Sequence, residues 1–177
     1  MDTMNATSMK SGRKEGKYLT FKLGREEYGL ELVRVREIIA LMDITPVPLA
    51  PDYVRGVMNL RGRVIPVVDL RRKFGMRPTE DHDRKCIIVC DVERNGQPIQ
   101  MSILVDAVSE VLHISGSDIE EAPAFSAGVD TSFIHGIAKA KSGVKILLDI
   151  DIVLSAATVV LPPLNVSAAR AEGAATA

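Results

Sequence analysis

The sequence predicts an all-β protein with a few short helices, built from two similar subdomains that each form a small five-stranded barrel. Short runs rich in Val, Ile and Leu are separated by turn residues along most of the chain, as is typical of β-proteins. The block from Gly56 to Gly75 also begins again, in weaker form, at Gly136. Such a repeat indicates one β-rich unit used twice. Closing each unit into a barrel would remove the exposed edges of its short strands.

Both copies of the repeat keep the order glycine, basic residue, apolar strand, aspartate, apolar helix. Gly56 corresponds to Gly136 and Asp69 to Asp149, and the spacing is the same in both pairs. The equal spacing indicates that the two blocks share one local structure.

The segments upstream of these blocks match as well. Residues 32–38 resemble residues 105–111, with a slightly shorter spacing whose difference falls in a loop. We therefore expect one subdomain at about residues 17–80 and another at about 81–161, with a strand or helix possibly exchanged at their ends.

Both ends of the chain are predicted to be flexible tails. Residues 1–16 are rich in Ser, Thr, Asn, Lys and Gly without an apolar period, and residues 162–177 are mostly small and polar. Such segments bury too little apolar surface to fold. The folded region is therefore expected to span residues 17–161.

The first half is predicted to contain two hairpins, joined by an extended segment and one helical turn. In order, the predicted elements are strands Tyr18–Leu23 and Tyr28–Leu32, an extended segment Val35–Leu41, a helical turn Asp52–Arg55, and strands Val57–Leu60 and Val64–Val68. Gly56 is expected to close the helical turn. Asp69 is predicted to cap a short helix that Gly75 ends.

The second half is predicted to rebuild this pattern. Cys86–Val92 and Ile99–Val105 form a hairpin around Asn95-Gly96, because Asn-Gly is a strong turn signal. The apolar segment Leu147–Leu161 is expected to supply a strand, an aspartate-capped helix and a returning strand.

Composition excludes several classes of function. The 177 residues are 46% hydrophobic, enough for a substantial core. The 22 basic and 23 acidic residues are mixed in order and give a net charge of −1, so no basic footprint for nucleic acid or anionic membrane is present.

The sequence predicts a cytoplasmic protein without direct membrane insertion. The apolar run Ile152–Leu164 ends in two prolines and is shorter than the ~20 residues that span a bilayer.

The two cysteines, Cys86 and Cys90, lie in one predicted strand, where their Cα atoms would be about 13 Å apart. They are too far apart for a disulfide, so we expect reduced thiols.

No motif for catalysis, metal binding or nucleotide binding is evident. His82, His113 and His135 show no metal-ligand spacing, and the chain has no phosphate-binding glycine loop. We therefore expect no catalytic residues, no metal and no cofactor. A small hydrolase that uses His135 or Asp149 remains an alternative, which would require a cleft with convergent titratable groups.

Three sequence blocks point to a known family: Tyr28–Ile38, Arg55–Leu70 and Val105–Val108. With these blocks, the chain resembles the CheW family of chemotaxis coupling proteins from about Lys17 to Leu161. The resemblance implies two SH3-like barrels packed around a hydrophobic seam. It also implies an adaptor that joins the regulatory domain of the histidine kinase CheA to the cytoplasmic tip of a chemoreceptor. We expect a monomer when the protein is alone, because coiled-coil heptads and long exposed strands are absent.

The resemblance also suggests candidate binding residues. The candidates for receptor binding are Val35, Glu37, Ile38, Ile87 and Val105. Those for kinase binding are Arg55, Gly56, Val57, Leu60 and Arg61. The alternative is that the apolar members are ordinary barrel core and that Gly56 is a helix C-cap.

Glu37 and Arg61 are charged residues among apolar neighbours, each beside a family-matching motif. We predict that they form an ion pair on the partner-facing side. The alternatives are a solvated surface pair without function and, for the whole chain, a paralogue that serves a non-flagellar chemosensory array.

Overall fold

A computed structural model of the chain describes residues 15–78, 84–123 and 131–160. Within these ranges the fold is mostly β, as predicted, with two short α-helices. The strands are β1 (Gly16–Leu23), β2 (Glu26–Glu31), β3 (Val35–Ala40), β4 (Val54–Leu60), β5 (Arg63–Asp69), β6 (Cys86–Arg94), β7 (Gln97–Val105), β8 (Ala107–Ile114), β9 (Ile119–Glu120), β10 (Ile134–Ala140) and β11 (Gly143–Leu148). The helices are α1 (Leu70–Lys73) and α2 (Ile150–Val160), and short 3₁₀ turns lie at Leu32–Arg34 and Gly116–Asp118.

The strands form two sheets. One has the order β3-β6-β7-β5-β4 and is continuous in sequence, so we call it the contiguous sheet. The other has the order β8-β1-β2-β11-β10-β9 and combines the N-terminal hairpin with the last four strands, so we call it the split sheet. Each contains one parallel pair, β5 with β7 and β11 with β2, and the other pairs are antiparallel.

The sequence analysis expects subdomains at about residues 17–80 and 81–161, with a strand or helix possibly exchanged at their ends. In the structure, whole hairpins are exchanged between the two ranges. The hairpin β1–β2 joins the split sheet, and the hairpin β6–β7 joins the contiguous sheet. Each repeated hairpin thus pairs through its second strand with an opening hairpin. The exchange involves whole hairpins because the parallel pairing of β2 with β11 holds the chain's start against its last strand.

The repeated blocks have the same local structure in both sheets. The N–H of Asp69 donates to Tyr53 O over 2.7 Å, and the N–H of Asp149 donates to Phe133 O over 2.8 Å. Each aspartate then caps the following helix, as predicted. The N–H of Arg72 donates to Asp69, and two backbone N–H groups of α2 donate to Asp149.

Two predicted elements are wrong. Asp52–Arg55 is not a helical turn closed by Gly56, since β4 already begins at Val54 and Gly56 lies at an irregularity inside the strand. At the C-terminal end, α2 continues to Val160, where a returning strand is predicted. Its run of apolar and small residues also suits a helix, and periodicity alone does not separate the two.

A hydrophobic seam between the sheets forms the main core. Its buried side chains come from both sheets and both helices and include Leu19, Phe21, Leu70, Ile88, Ile103, Leu148 and Leu154. A second cluster fills the contiguous sheet, with Met58, Ile65, Val67, Ile87, Val89 and Leu104. A third lies in the split sheet around Tyr18 and Leu147. Neither helix of the described ranges has the length and apolar character to cross a membrane.

Candidate protein-interaction surface

The predicted pair of Glu37 and Arg61 is present. Arg61 Nη1 donates to Glu37 Oε2 over 2.9 Å, and Arg61 Nη2 donates to Glu37 Oε1 over 2.5 Å. The hydrogen bond from Arg61 holds the pKa of Glu37 below its usual value. The side chain of Arg61 is 73% exposed, and its backbone has a left-handed φ of 52° in the β4–β5 turn. This bidentate pair therefore lies at the protein surface, with the guanidinium held by two charge-assisted hydrogen bonds.

The ion pair joins two strands from opposite edges of the contiguous sheet. Glu37 lies on β3, Arg61 follows β4, and these are the outermost strands. The segment after β3 also reaches β4, since Thr45 and Val57 exchange both of their backbone hydrogen bonds. The sheet consequently curls toward a barrel, although no continuous ladder joins β3 to β4 within the described residues.

The candidate kinase-binding residues lie together on β4 and the turn after it. Arg55 and Val57 are half-buried on either side of Gly56, and the Arg55 guanidinium lies 3.9 Å from Asp69 Oδ2. Leu60 packs against the core of the contiguous sheet. Arg61 is thus the most exposed member of this set.

Gly56 is the buried member of the same set. Its φ is 142°, and a Cβ at this position would lie 2.0 Å from the carbonyl oxygen of Thr45. Its predicted alternative role as a helix C-cap is therefore wrong. Glycine is needed because another segment of backbone packs directly on it.

The candidate receptor-binding residues are divided between surface and core. Ile38 is exposed, whereas Val35 is half-buried. Ile87 and Val105 are fully buried in two different core clusters, so their side chains support the surface from behind. Ile38 and Glu37 are neighbours on β3 and therefore point to opposite faces of the strand.

Val33 is a further surface residue that the sequence analysis misses. It lies in the 3₁₀ turn before β3, and its side chain is 80% exposed. Because it is two residues from Val35, it extends the apolar surface next to β3. The signal in the sequence is weak, since a valine in an apolar run reads as core.

Within the described residues, Asp149 and His135 have contacts other than the convergent titratable groups that a hydrolase would need. The carboxylate of Asp149 caps α2, and His135 Nε2 is buried, 3.4 Å from Glu31 Oε1. Two open clefts, of about 690 and 530 Å³, are lined by other residues. Among the described residues, no three His, Cys, Asp or Glu side chains converge on a metal position.

Both cysteines are free and unsuited to nucleophilic chemistry. Burial raises the pKa of the Cys90 thiol to about 12. It also raises the pKa of the Cys86 thiol. Protonated thiols are poor nucleophiles. The described fold is a β-rich module of two sheets, one of which carries an exposed ion pair.

Comparison with known proteins identifies the family. The CheW-like domain matches residues 17–158. Chemotaxis protein CheW of Klebsiella aerogenes is 36% identical over 138 residues, covering 78% of this chain and 81% of that protein. CheW of Rhizobium meliloti is 36% identical over 133 residues, which cover 75% of this chain and 83% of the Rhizobium protein. The scaffolding protein TtCheW of Thermoanaerobacter tengcongensis has a similar structure, with a TM-score of 0.70 and 34% identity over 79% of this chain and 92% of that one.

The chain belongs to the CheW family. Proteins of this family are scaffolds or adaptors in chemotaxis signalling and are not enzymes. Family membership therefore opposes the hydrolase alternative, in agreement with the positions of His135 and Asp149.

Proposed function

We propose that this protein couples chemoreceptors to the histidine kinase CheA in the cytoplasm. The observation that carries the proposal is the family match over residues 17–158, which includes both candidate binding surfaces. The adaptor binds the regulatory domain of the kinase along β4 and its turn, and it binds the receptor tip along the edge formed by β3 and the 3₁₀ turn before it.

The β4 surface supports kinase binding by its shape and charge. Arg55 and Val57 are the half-buried residues on either side of Gly56, and Arg61 extends from the adjoining turn. Arginine flanking an aliphatic surface is a common composition at protein interfaces. A regulatory domain of related fold meets this strand with a similar surface of its own.

The β3 edge supports receptor binding by exposing apolar side chains. Val33 and Ile38 are exposed near the half-buried Val35. The receptor tip is a long helical hairpin, and an amphipathic helix binds by placing its apolar stripe against such a surface. The buried Ile87 and Val105 support this edge from within the core.

The two contacts are testable by isothermal titration of the chain against an isolated CheA regulatory domain and a receptor-tip fragment. Arg61→Ala is expected to weaken kinase binding at least about tenfold. Arg63→Ala is the matched control, because Arg63 follows the same turn and its guanidinium donates to Gln100 instead. Absence of kinase binding by the unmodified chain, or equal loss in both variants, contradicts the proposal.

Ile38→Asn tests the receptor side in the same way. It is expected to weaken binding of the receptor-tip fragment and to leave kinase binding unchanged, because Ile38 points away from the core. Val111→Asn is the matched control, since Val111 is an exposed valine on β8, in the other sheet. Unchanged receptor binding by Ile38→Asn contradicts the proposed receptor surface.

A further inference from the structure

The turn at residues 47–50 holds a leucine in an unfavourable backbone conformation. The N–H of Ala50 donates to Val47 O over 3.4 Å, Pro48 occupies the second position, and Leu49 occupies the third with a φ of 63°. Proline followed by a positive φ is the arrangement of a type II turn, whose third position favours glycine or asparagine. A bulky side chain with positive φ is strained.

Packing does not compensate for this strain. The side chain of Leu49 is fully exposed, so it gains no burial against the rest of the described protein. A strained residue that the fold does not need is expected where the residue serves a contact. Leu49 is therefore the surface residue whose identity most needs an explanation outside the fold.

Gly56 allows the segment just before this turn to pack closely on β4. Thr45 N donates to Val57 O over 2.8 Å, and Val57 N donates to Thr45 O over 2.9 Å. A Cβ on Gly56 would lie 2.0 Å from Thr45 O and 2.9 Å from Pro46 Cα, so only glycine allows this close approach. Gly56 itself is buried. It sets the position of the turn and is not available as a contact.

The turn presents a rigid and uncharged surface. Residues 44–51 contain three prolines and no charged residue, and Thr45, Pro46, Pro48 and Leu49 are exposed. Prolines limit the entropy lost when a loop is immobilised on binding. A single aliphatic side chain on such a turn fits an apolar pocket in a folded protein, and it does not suit a nucleic acid or a polar ligand.

We propose that Leu49 inserts into an apolar pocket of the CheA regulatory domain and that Gly56 is a positioning residue for this contact. The proposal rests on the proposed kinase-binding role of β4. Thr45, two residues before the turn, is hydrogen-bonded to Val57 of β4, so a domain bound along Arg55–Leu60 would also reach the turn. Through Thr45 the segment that contains the turn is hydrogen-bonded to β4, whereas the proposed receptor surface lies on β3 and the 3₁₀ turn before it, which favours the kinase domain as the occupant.

Leu49→Asn separates a contact role from a structural role, because asparagine accepts positive φ. In titrations of the full chain against the CheA regulatory domain, this variant is expected to bind at least about tenfold more weakly. Its Tm is expected to stay equal or to rise by about 1–3 °C as the backbone strain is relieved. Weaker binding with an unchanged or higher Tm is not produced by a merely structural residue.

Two further variants complete the test. Val111→Thr, at an exposed valine on β8, is expected to bind as the unmodified chain does. Gly56→Ala is expected to weaken binding together with a lower Tm and faster hydrogen exchange at the Thr45 and Val57 amides, because the turn is displaced.

The outcomes distinguish this inference from the proposed function. If the unmodified chain binds the regulatory domain and Leu49→Asn binds equally well, the Leu49 contact is overturned and the adaptor role stands. If the unmodified chain does not bind, both are overturned. If Leu49→Asn loses only receptor binding, the assignment of the turn to the kinase is overturned.

Discussion

Lys145 is a fully buried charged residue whose ammonium group is paired with the carboxylate of Glu27. It occupies the position that Ile65 has in the first copy of the repeat, so an ionic contact replaces an aliphatic one. Burial, and then the nearby charge of Lys22, lowers the pKa of Lys145. Its positive charge is therefore held at a cost in desolvation.

Substitutions at this pair are expected to have unequal effects on stability. Lys145→Met removes the buried charge and keeps an aliphatic chain, so we expect a neutral or stabilising change. Glu27→Gln leaves the buried ammonium without its counter-ion and is expected to cost about 1–3 kcal/mol of unfolding free energy, since Glu27 itself is partly exposed. Urea denaturation measures both. The matched control is Lys139→Met, because Lys139 belongs to an exposed ion pair and little change in stability is expected. A larger loss of unfolding free energy in Lys145→Met than in Glu27→Gln would contradict the prediction.

The exposed pair of Glu37 and Arg61 gives a second prediction at this scale. Glu37→Arg is expected to weaken kinase binding, because the reversed charge repels Arg61 and displaces its guanidinium. Glu37→Arg combined with Arg61→Glu is expected to restore part of the binding, since the pair can form again with exchanged charges. Titration of the two single variants and the double variant measures the coupling, and strictly additive effects exclude a functional pair.

At the scale of elements, both copies of the repeat contain an aspartate that caps the following helix. Asp69 begins α1 and Asp149 begins α2, and each carboxylate accepts hydrogen bonds from N–H groups of the first turn. Asp69 is 6% exposed, so its bonds are largely protected from water.

Replacing either cap is expected to destabilise the protein. Asp69→Ala and Asp149→Ala should each lower the free energy of unfolding by about 1–2 kcal/mol, as measured by urea denaturation. Asp52→Ala is the control, because its carboxylate is exposed and pairs with Arg72 instead of capping a helix. Equal effects in all three variants would show that the loss does not come from capping.

Elements determined by local sequence could be predicted, and elements determined by distant contacts could not. The caps of α1 and α2 and the hairpin turns depend on residues next to one another in the chain. The conformation of Gly56 depends on the backbone of Thr45 from another segment, so the sequence alone places this glycine before a strand, as a cap, and not inside β4. The Glu37–Arg61 pair could be expected only from the family motifs, whereas Val33 and Leu49 carry no sequence signal that separates surface from core.

At the scale of the molecule, Asp106 links parts of both sheets. Its carboxylate accepts hydrogen bonds from Arg71 Nε over 2.7 Å and from the N–H of Gly24 over 2.7 Å. Gly24 turns between β1 and β2, Arg71 lies on α1, and Asp106 separates β7 from β8. Burial raises the pKa of Asp106, but the bonds from Arg71 and Gly24 outweigh it and hold the pKa below its usual value.

This link predicts a pH dependence of stability. Because the pKa of Asp106 is lower in the folded than in the unfolded protein, its contribution is complete above the unfolded value of about 3.9 and is lost as the pH falls through the folded value. Asp106→Asn is expected to cost about 1–3 kcal/mol at neutral pH. The free energy of unfolding of the Asp106→Asn variant should also fall less steeply than that of the unmodified chain as the pH is lowered from about 5 to 2. Parallel pH profiles would contradict a stabilising role of the ionised carboxylate.

The order in which the strands pair within each sheet is the part of the molecule that the sequence predicts least well. The repeat indicates two related units, and the seam between them is present. However, the parallel contact of β2 with β11 joins the two ends of the folded region. Pairing between segments so distant is set by packing of the whole core, and no local pattern in Glu26–Glu31 specifies it.

Simultaneous binding of both partners tests the adaptor role most directly. Sedimentation velocity of this chain mixed with a CheA regulatory domain and a receptor-tip fragment is the measurement that we would make. The account predicts one species that contains all three, from which Arg61→Ala removes the kinase domain and Ile38→Asn removes the receptor fragment. Mutually exclusive binding of the two partners, or loss of both from either variant, would contradict it.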